Sequence, residues 1–289
     1  MHKKIIVFLI IILILNSCNI INPEEKIPAY LQIDGAKIIT NISKEGTNSH
    51  AICDSWIYVN GKFIGAFENP TQNIPILESG RQKIEINPGI KENSSSSYRV
   101  NYPMLASYTI DTVLKESEII KLSPEFQYYS NINFALLEDF ENDGINFQTT
   151  EKSVPLQIIR GEKAFEGKSM YFIVDNNDSI FEARTMNLLT LPKLGYDVYL
   201  EINYKCNGYF SFGFFDRYAT GGIINEIRKN VFHFNPSNGQ WKKTYINLKT
   251  HLQNAQGIEF RPFFICDKTN TPAEEKVEVY IDNVKILFR

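Results

Sequence analysis

Short runs in which apolar and polar residues alternate are the feature that most constrains the fold of this chain. They follow one another from about residue 27 to the last residue, and glycine, proline, asparagine and serine separate them. Alternation with a period of two sends one set of side chains to each face of a β-strand. The composition agrees, because 20 Phe and 15 Tyr stand against only 4 Met, and aromatic residues favour strands. The sequence therefore predicts an all-β protein.

The clearest local signal is a β-hairpin in the first half of the chain. Asn60-Gly61 separates two apolar-rich arms, residues 55–59 and 62–67. Asn-Gly supplies the two positive φ angles of a type I′ turn, whose twist matches that of the flanking strands. With the strand-like runs that follow, about seven strands fall within roughly a hundred residues, as in small sandwiches. This spacing predicts an N-terminal β-sandwich over residues 28–127.

The hairpin and the segment after it resemble the PEGA-type surface domains. Those domains carry a V-D-G hairpin and a later strand with the pattern G-x-H, and the corresponding letters here are VNG at 59–61 and GRQ at 80–82. Asn60 thus stands in place of the aspartate and Gln82 in place of the histidine. The resemblance implies an extracytoplasmic structural or interaction module without catalytic activity.

The second half of the chain, residues 136–289, carries several motifs in a fixed order. They are FE at 140–141, EGKS at 166–169, Trp241 followed by YINL at 245–248, and YIDNV at 280–284. As a set they resemble the galactose-binding-like jelly roll, the fold of many carbohydrate-binding modules. The resemblance implies a C-terminal β-jelly roll. Because that roll serves binding, adhesion and scaffolding alike, the fold alone does not name the ligand.

The chain begins with the features of an export signal. Residues 1–17 contain a basic start and an unbroken apolar run from Ile5 to Leu15. As a helix this run reaches roughly 16 Å, about half of a bilayer's hydrocarbon core. Leu15-Asn16-Ser17-Cys18 resembles the lipobox of bacterial lipoproteins. The resemblance implies a lipoprotein signal peptide over 1–17, lipidation of Cys18 with palmitate among its acyl chains, and a lipidated tether over 18–27.

The residues just after Cys18 bear on localisation. Asn19 stands where an aspartate retains such lipoproteins in the inner membrane, so the resemblance implies the outer membrane. Glu24 and Glu25 resemble the acidic surface-export signal of Bacteroidetes lipoproteins, which implies the cell surface. The alternative is a plain solvated tether. The side of the outer membrane on which the protein lies is therefore left open.

A ligand-binding face is predicted from the alternation in three strands of the second region. In residues 209–217 the set Phe210, Phe212 and Phe214 points inward, and the same rule applied to 200–205 and 258–264 leaves polar residues on the opposite face. Sugar recognition needs an aromatic ring and planar hydrogen-bonding groups. The alternative is a solvated sheet face with paired charges. If the strands are neighbours, the converging residues are Asn203, Tyr209, Arg217, Glu259 and Arg261.

A metal site is implied by the jelly-roll resemblance. In carbohydrate-binding jelly rolls a structural calcium ion often joins the early strand to the last one, and the matching positions are Glu141 and Asp282, with Asp139 nearby. Calcium needs six to eight oxygen ligands at about 2.3–2.6 Å, more than two carboxylates supply. The alternative is that Asp282 and Asn283 form a turn or cap a strand end.

Three cysteines follow Cys18, namely Cys53, Cys206 and Cys266. Cys206 and Cys266 both lie in strand-like runs. A disulfide between neighbouring strands and two buried free thiols are both compatible with these positions.

Several function classes are disfavoured. The formal net charge of −3 offers nothing to attract nucleic acid. His50, His233 and His251 lie far apart, and no nucleophile-elbow, zinc-protease or phosphate-binding motif is present. The sequence therefore predicts a non-enzymatic, lipid-anchored cell-envelope protein whose jelly roll binds a glycan. The alternatives are a structural or assembly component that binds another envelope protein, and a glycan hydrolase, which would need a cleft with two carboxylates at catalytic spacing.

Overall fold

The computed structural model describes residues 25–289, so the predicted signal peptide, Cys18 and most of the tether lie outside the described residues. The protein is all-β, with an N-terminal β-sandwich followed by a β-jelly roll. This fold class confirms the prediction. Within residues 25–289, no helix combines the length and apolar character needed to cross a membrane.

The N-terminal unit packs its strands into two main sheets. A five-stranded sheet has the order β4-β3-β6, with β7 and β8 pairing different parts of β6, and a three-stranded sheet has the order β5-β1-β9. A separate pair joins β2 to β10. The elements are β1 Ala29–Ile33, β2 Lys37–Ile38, α1 Ile42–Glu45, β3 Asp54–Val59, β4 Lys62–Glu68, β5 Ile74–Ile76, β6 Gly80–Lys91, β7 Arg99–Asn101, β8 Tyr108–Leu114, β9 Ile119–Leu122 and β10 Glu125–Phe126.

The predicted hairpin is present as β3 and β4. Asn60 and Gly61 have φ angles of 48° and 78°, as a type I′ turn requires. The Asn60 side chain hydrogen-bonds Gln82 and also accepts from the backbone N of Lys83 at 2.9 Å. The two residues at which the chain departs from the PEGA pattern therefore contact each other. Membership of the PEGA class stays a prediction.

The C-terminal unit consists of two facing sheets. The first has the order β13-β14-β22-β17-β20 with β11 pairing the end of β22, and the second has the order β12-β15-β21-β18-β19 with β16 on β21. A core rich in phenylalanine lies between them. The elements are β11 Asn133–Glu138, β12 Phe147–Thr149, β13 Gln157–Arg160, β14 Lys168–Val174, β15 Ile180–Thr185, β16 Leu189–Thr190, β17 Val198–Cys206, β18 Phe210–Thr220, β19 Ile223–Phe234, β20 Lys242–Asn247, α2 Lys249–Gln253, β21 Glu259–Asp267 and β22 Val277–Phe288.

Cys206 and Cys266 are free thiols in the structure and do not form a disulfide with each other. Cys206 lies on β17 of the first sheet and Cys266 on β21 of the second, so they are not on neighbouring strands. Both are buried in the jelly-roll core, where the Sγ of Cys266 donates to the carbonyl oxygen of Tyr209 at 3.3 Å. Burial raises the pKa of each thiol to about 12.

Part of the outer face of the first jelly-roll sheet is covered by the N-terminal unit. Tyr199, Tyr245 and Leu287 of this sheet are buried in the apolar core of the N-terminal sandwich. The Tyr199 hydroxyl also hydrogen-bonds Glu92, and the Tyr245 hydroxyl accepts from the backbone N of Ala51 at 3.0 Å. This shared core fixes the two units against each other.

A buried charge cluster lies at the centre of this interface. Glu201 on β17 is 1% exposed, and its carboxylate accepts from the hydroxyls of Tyr102 at 2.6 Å and Tyr128 at 2.8 Å. Lys243 Nζ lies 3.1 Å from the same carboxylate. Burial opposes ionisation of Glu201, but Lys243 and Lys285 outweigh it and hold the pKa of the carboxyl below its usual value. Burial in turn lowers the pKa of Lys285 to about 8.

Candidate ligand-binding face

Asn203 does not join the other predicted ligand residues. It lies on β17 of the first sheet, whereas Tyr209, Arg217, Glu259 and Arg261 flank or belong to strands of the second. Asn203 is 1% exposed, and its side-chain amide donates to the Ser49 hydroxyl of the N-terminal unit at 3.0 Å. The alternation rule placed it correctly away from the core, but the face it shares is an interface between units.

The remaining predicted residues share the outer face of the second sheet, which we call the ligand face. Along β18, Phe210, Phe212 and Phe214 enter the core between the sheets. The alternate positions point outward and pair across to β21, where Phe215 lies opposite Arg261 and Arg217 opposite Glu259. The predicted alternation is therefore confirmed for β18 and for Phe260 and Phe264 of β21, whereas Ile258, also predicted to point inward, is 58% exposed. This face belongs to the sheet that the N-terminal unit does not cover.

The middle of the ligand face is built on two phenylalanine rings. Phe215 and Phe263 have ring centroids 5.1 Å apart and are 9% and 0% exposed. Gly213 lies beside Phe263 on the neighbouring strand, and a Cβ there would overlap both the Phe263 ring and the carbonyl oxygen of Lys229. The absence of a side chain at Gly213 thus allows the ring to lie across the sheet.

Two arginines cover these rings. The guanidinium of Arg184 lies 4.3 Å from the Phe215 centroid, and that of Arg228 lies 4.3 Å from the Phe263 centroid. Glu182, 7% exposed, joins them by accepting from Arg184 Nε at 2.6 Å and from Arg228 Nη1 at 2.8 Å. Burial opposes ionisation of Glu182, but hydrogen bonds from Arg228 and Arg184 hold the pKa of its carboxyl below its usual value. The guanidinium planes of Arg184 and Arg228 therefore cover the rings of Phe215 and Phe263 on the outer side of the sheet.

One end of the ligand face forms a depression of about 380 Å³ beside Tyr209. Tyr209 is 44% exposed. Ser211 Oγ and His233 Nδ1 are 2.7 Å apart, and Asp267 lines the same depression. Aromatic, hydroxyl, imidazole and carboxylate groups therefore meet at one concavity, a mixture that suits a sugar ring and its hydroxyls.

The opposite end forms a second depression of about 300 Å³, lined in part by Arg184, Arg261 and Glu226. Arg261 Nη1 donates to the backbone carbonyls of Thr185 at 3.1 Å and Met186 at 3.0 Å, which holds the guanidinium in place. On the neighbouring part of the same face, Arg217 Nη1 and Glu259 Oε2 form an ion pair at 3.6 Å. Tyr209 and Arg217 are eight positions apart, or about 26 Å along an extended strand, so a ligand touching both must be an oligomer.

The residues that the sequence analysis missed are Glu182, Arg184 and Arg228. Alternation in FEAR at 181–184 indicates that Glu182 and Arg184 share a face, because Phe181 and Ala183 are apolar. The sequence does not show that β15 lies beside β21, nor that Arg228 crosses from β19 to Glu182. These are facts of strand order and register, which no local pattern contains.

Replacing Gly213 with alanine is expected to lower the free energy of unfolding by about 1–3 kcal/mol, because the new methyl group must displace a ring or a backbone carbonyl. Urea unfolding followed by circular dichroism measures the loss. Gly144→Ala is the matched control, since a Cβ at Gly144 meets no atom within 4 Å. Equal stability of the two variants would contradict the described packing of Phe263.

The carboxylates predicted to bind calcium flank the loop that leads into β14. Glu141 accepts from the backbone N of Lys168 at 2.6 Å, and Asp282 accepts from that of Glu166 at 3.3 Å. The Lys168 ammonium also donates to the backbone oxygen of Glu141 at 2.7 Å, so a cation already contacts an oxygen of the kind calcium uses. No group of three His, Cys, Asp or Glu side chains in residues 25–289 could hold a metal ion. Calcium binding at Glu141 and Asp282 therefore stays a prediction.

Comparisons with known proteins find similarity only to solved structures. No family model matches the chain, and no curated protein matches it. The family 11 carbohydrate-binding module from Clostridium thermocellum matches over 54% of this chain and 94% of its own, with 14% identity and a TM-score of 0.38. The CBM22-2 xylan-binding domain from Paenibacillus barcinonensis Xyn10C matches over 53% and 98%, with 15% identity and a TM-score of 0.36.

A third solved structure joins a carbohydrate-binding module to a catalytic module. It is the CBM22-1-GH10 structure of Clostridium thermocellum xylanase 10B, with 15% identity and a TM-score of 0.40. The match covers 54% of this chain and spans only 28% of the xylanase chain. The matched part of each of these structures is a carbohydrate-binding module or includes one. At such identities and scores the likeness does not extend to a ligand.

Proposed function

We propose that this chain is a non-catalytic glycan-binding protein of the cell envelope, and that the ligand face of its jelly roll contacts the glycan. The observation that carries the proposal is the ligand face itself. One jelly-roll sheet has part of its outer face buried by the N-terminal unit, while the other presents two depressions on either side of a guanidinium-covered centre. Hydrogen-bonding side chains line both depressions, and the exposed ring of Tyr209 lies at one of them, a mixture that suits oligosaccharide recognition.

The proposal includes attachment to the outer membrane through lipid on Cys18. The support is the export signal and the lipobox-like sequence before Cys18. The N-terminal sandwich then lies between the tether and the ligand face, and its shared core with the first sheet makes it a rigid spacer.

A second candidate function is assembly with another envelope protein. The observation that favours it is the tip of the β18–β19 hairpin, where Gly221-Gly222 form the turn. Ile223 is 68% exposed and Ile224 is 60% exposed, and side chains of this kind at a projecting tip suit a protein contact. Glycan binding remains the favoured function because two separate depressions lie on the ligand face.

We expect Tyr209→Ala and Arg217→Ala to weaken glycan binding at least ten-fold each, which corresponds to about 1.4 kcal/mol. A glycan-array screen of the wild type identifies the ligand, and titration calorimetry with that glycan measures each variant. Tyr98→Ala is the control, because Tyr98 is also an exposed tyrosine, at 56%, but lies in the N-terminal unit. Wild-type affinity in both ligand-face variants would exclude this face as the binding site. A screen that finds no glycan would favour the assembly function.

A further inference from the structure

The arrangement of arginines on the ligand face bears on the class of glycan. The chain contains eight arginines, and four of them, Arg184, Arg217, Arg228 and Arg261, lie on this face. The chain as a whole is acidic, with a formal net charge of −3. Guanidinium groups bind carboxylate and sulfate-like oxyanions with two parallel hydrogen bonds. Half of the chain's arginines are therefore on the one surface proposed to contact a ligand.

Glu182 does not neutralise the two central arginines. One carboxylate faces two guanidinium groups, so the group of Glu182, Arg184 and Arg228 keeps a net positive charge. Both arginine side chains are 35% exposed. Within the described chain, Nη1 of Arg184 and Nη2 of Arg228 have no hydrogen-bond partner. Each arginine thus has a donor edge left for a ligand.

The geometry of the central arginines is fixed before a ligand arrives. Stacking on Phe215 and Phe263 sets the guanidinium planes, and the buried carboxylate of Glu182 sets their rotation. Arginine held in this way loses little conformational entropy on binding, in contrast to a free surface lysine. A fixed planar donor is suited to a planar or tetrahedral oxyanion that recurs along a polymer.

The depression beside Arg184 has the same electrostatic character. Arg184 and Arg261 line this depression together with the acidic residue Glu226, and Thr149 and Thr150 are among its other lining residues. Arg261 is held by two backbone carbonyls. The depression therefore combines two positioned guanidinium groups with neutral hydrogen-bonding groups, as a charged sugar residue requires.

From these observations, and resting on the proposed glycan-binding function, we infer that the ligand is an anionic glycan whose carboxylate or sulfate groups are bound by Arg184, Arg228 and Arg261. The shared chemistry is a repeated oxyanion on a sugar chain. A uronic-acid polymer and a sulfated polymer both supply it. Neutral glycans of the same length lack the groups that these arginines bind.

Two matched pairs of polymers test the inference by affinity electrophoresis of the whole protein. One pair is polygalacturonate and its methyl ester, and the other is dextran sulfate and dextran. We expect at least ten-fold tighter binding to the acidic member of one pair or of both, and the preferred pair identifies the oxyanion. Equal binding to both members of both pairs overturns the inference but leaves glycan binding intact. Binding to none of the four polymers overturns the inference as well, and the glycan-array screen then decides the proposed function separately.

Variants separate specific binding from general attraction of charge. Arg261→Gln is expected to remove the preference for the acidic polymer, and Arg184→Lys, which keeps the charge but loses the planar fork, is expected to weaken binding at least five-fold. Arg81→Gln, at an exposed position of the N-terminal unit, is the control and should bind like the wild type. Circular dichroism verifies that each variant is folded. An unchanged preference in folded Arg261→Gln and Arg184→Lys would overturn the assignment.

Discussion

Replacing Glu201 with alanine is expected to lower the free energy of unfolding by about 3–5 kcal/mol, because removal of one partner leaves buried charges without compensation. Lys243 Nζ, 3.1 Å from the Glu201 carboxylate, would lose its counter-ion, and its side chain is only 3% exposed. The hydroxyls of Tyr102 and Tyr128 would lose their common acceptor. Urea unfolding monitored by circular dichroism gives the change directly.

The control for this experiment is Glu116→Ala, at an exposed position of the N-terminal unit. Its effect is expected to stay within about 0.5 kcal/mol. Because Glu201 lies where the two units share a core, the wild type should unfold in one transition and Glu201→Ala should unfold the N-terminal unit and the jelly roll less cooperatively. A loss of less than 1 kcal/mol would show that the cluster does not join the units as described.

The contribution of Asp282 to the stability of the protein is expected to fall as pH rises from about 4 to 7.5. Burial raises the pKa of this carboxyl from 3.8 to about 7. Between these values the folded protein retains a proton that the unfolded chain has lost, so the free energy of unfolding decreases with pH. Asp282→Asn resembles the protonated form, and the wild type should lose on the order of 3 kcal/mol relative to it across this window.

Two neighbouring side chains act on the Asp282 carboxyl in opposite directions. Ser169 Oγ donates to the carboxylate at 2.7 Å, while the charge of Glu166 opposes its ionisation. Asp111→Asn, the same change at an exposed position of β8, is the matched control. Urea midpoints at several pH values, with and without calcium, supply the data. A difference between wild type and Asp282→Asn that grows toward low pH would contradict the described burial.

Local patterns in the sequence were sufficient for the fold class and for the assignment of strand faces. Asn60-Gly61 predicted the hairpin because only a few residue pairs adopt its turn. The alternation around Phe212 predicted which side chains of β18 enter the core, because a one-residue shift would bury the charged set. Both predictions depend on residues close together in sequence. Turn type and the face on which a side chain lies can therefore be derived without knowing which strands are neighbours.

The site was only partly predictable because it depends on strand order. Asn203 was placed on the correct side of its strand, yet that strand belongs to the other sheet and its outer face is buried under the N-terminal unit. Arg228 was missed because it reaches Glu182 across two intervening strands, β18 and β21. The outcome illustrates that period-two patterns assign a face to a residue but do not say what covers that face.

The packing of the two units bears directly on the proposed function. Tyr199 and Tyr245 attach the first sheet to the N-terminal unit, whereas within residues 25–289 no side chain of the second sheet belongs to that unit's apolar core. On the outer face of the second sheet, the lack of a side chain at Gly213 leaves room for the Phe263 ring, and Arg228 stacks on that ring. A glycine, a ring and a guanidinium on three strands thus determine the chemistry offered to a ligand.

The most direct test of glycan binding on the second jelly-roll sheet is hydrogen–deuterium exchange. The protein is measured with and without a bound glycan from the array screen. Binding on the ligand face predicts slower exchange in β15, β18, β19 and β21 and unchanged exchange in the β3–β4 hairpin. Amide hydrogen exchange reports where a ligand restricts local opening of the backbone. Protection confined to the N-terminal unit, or to the exposed tip around Ile223, would contradict the assignment of glycan binding to the second sheet.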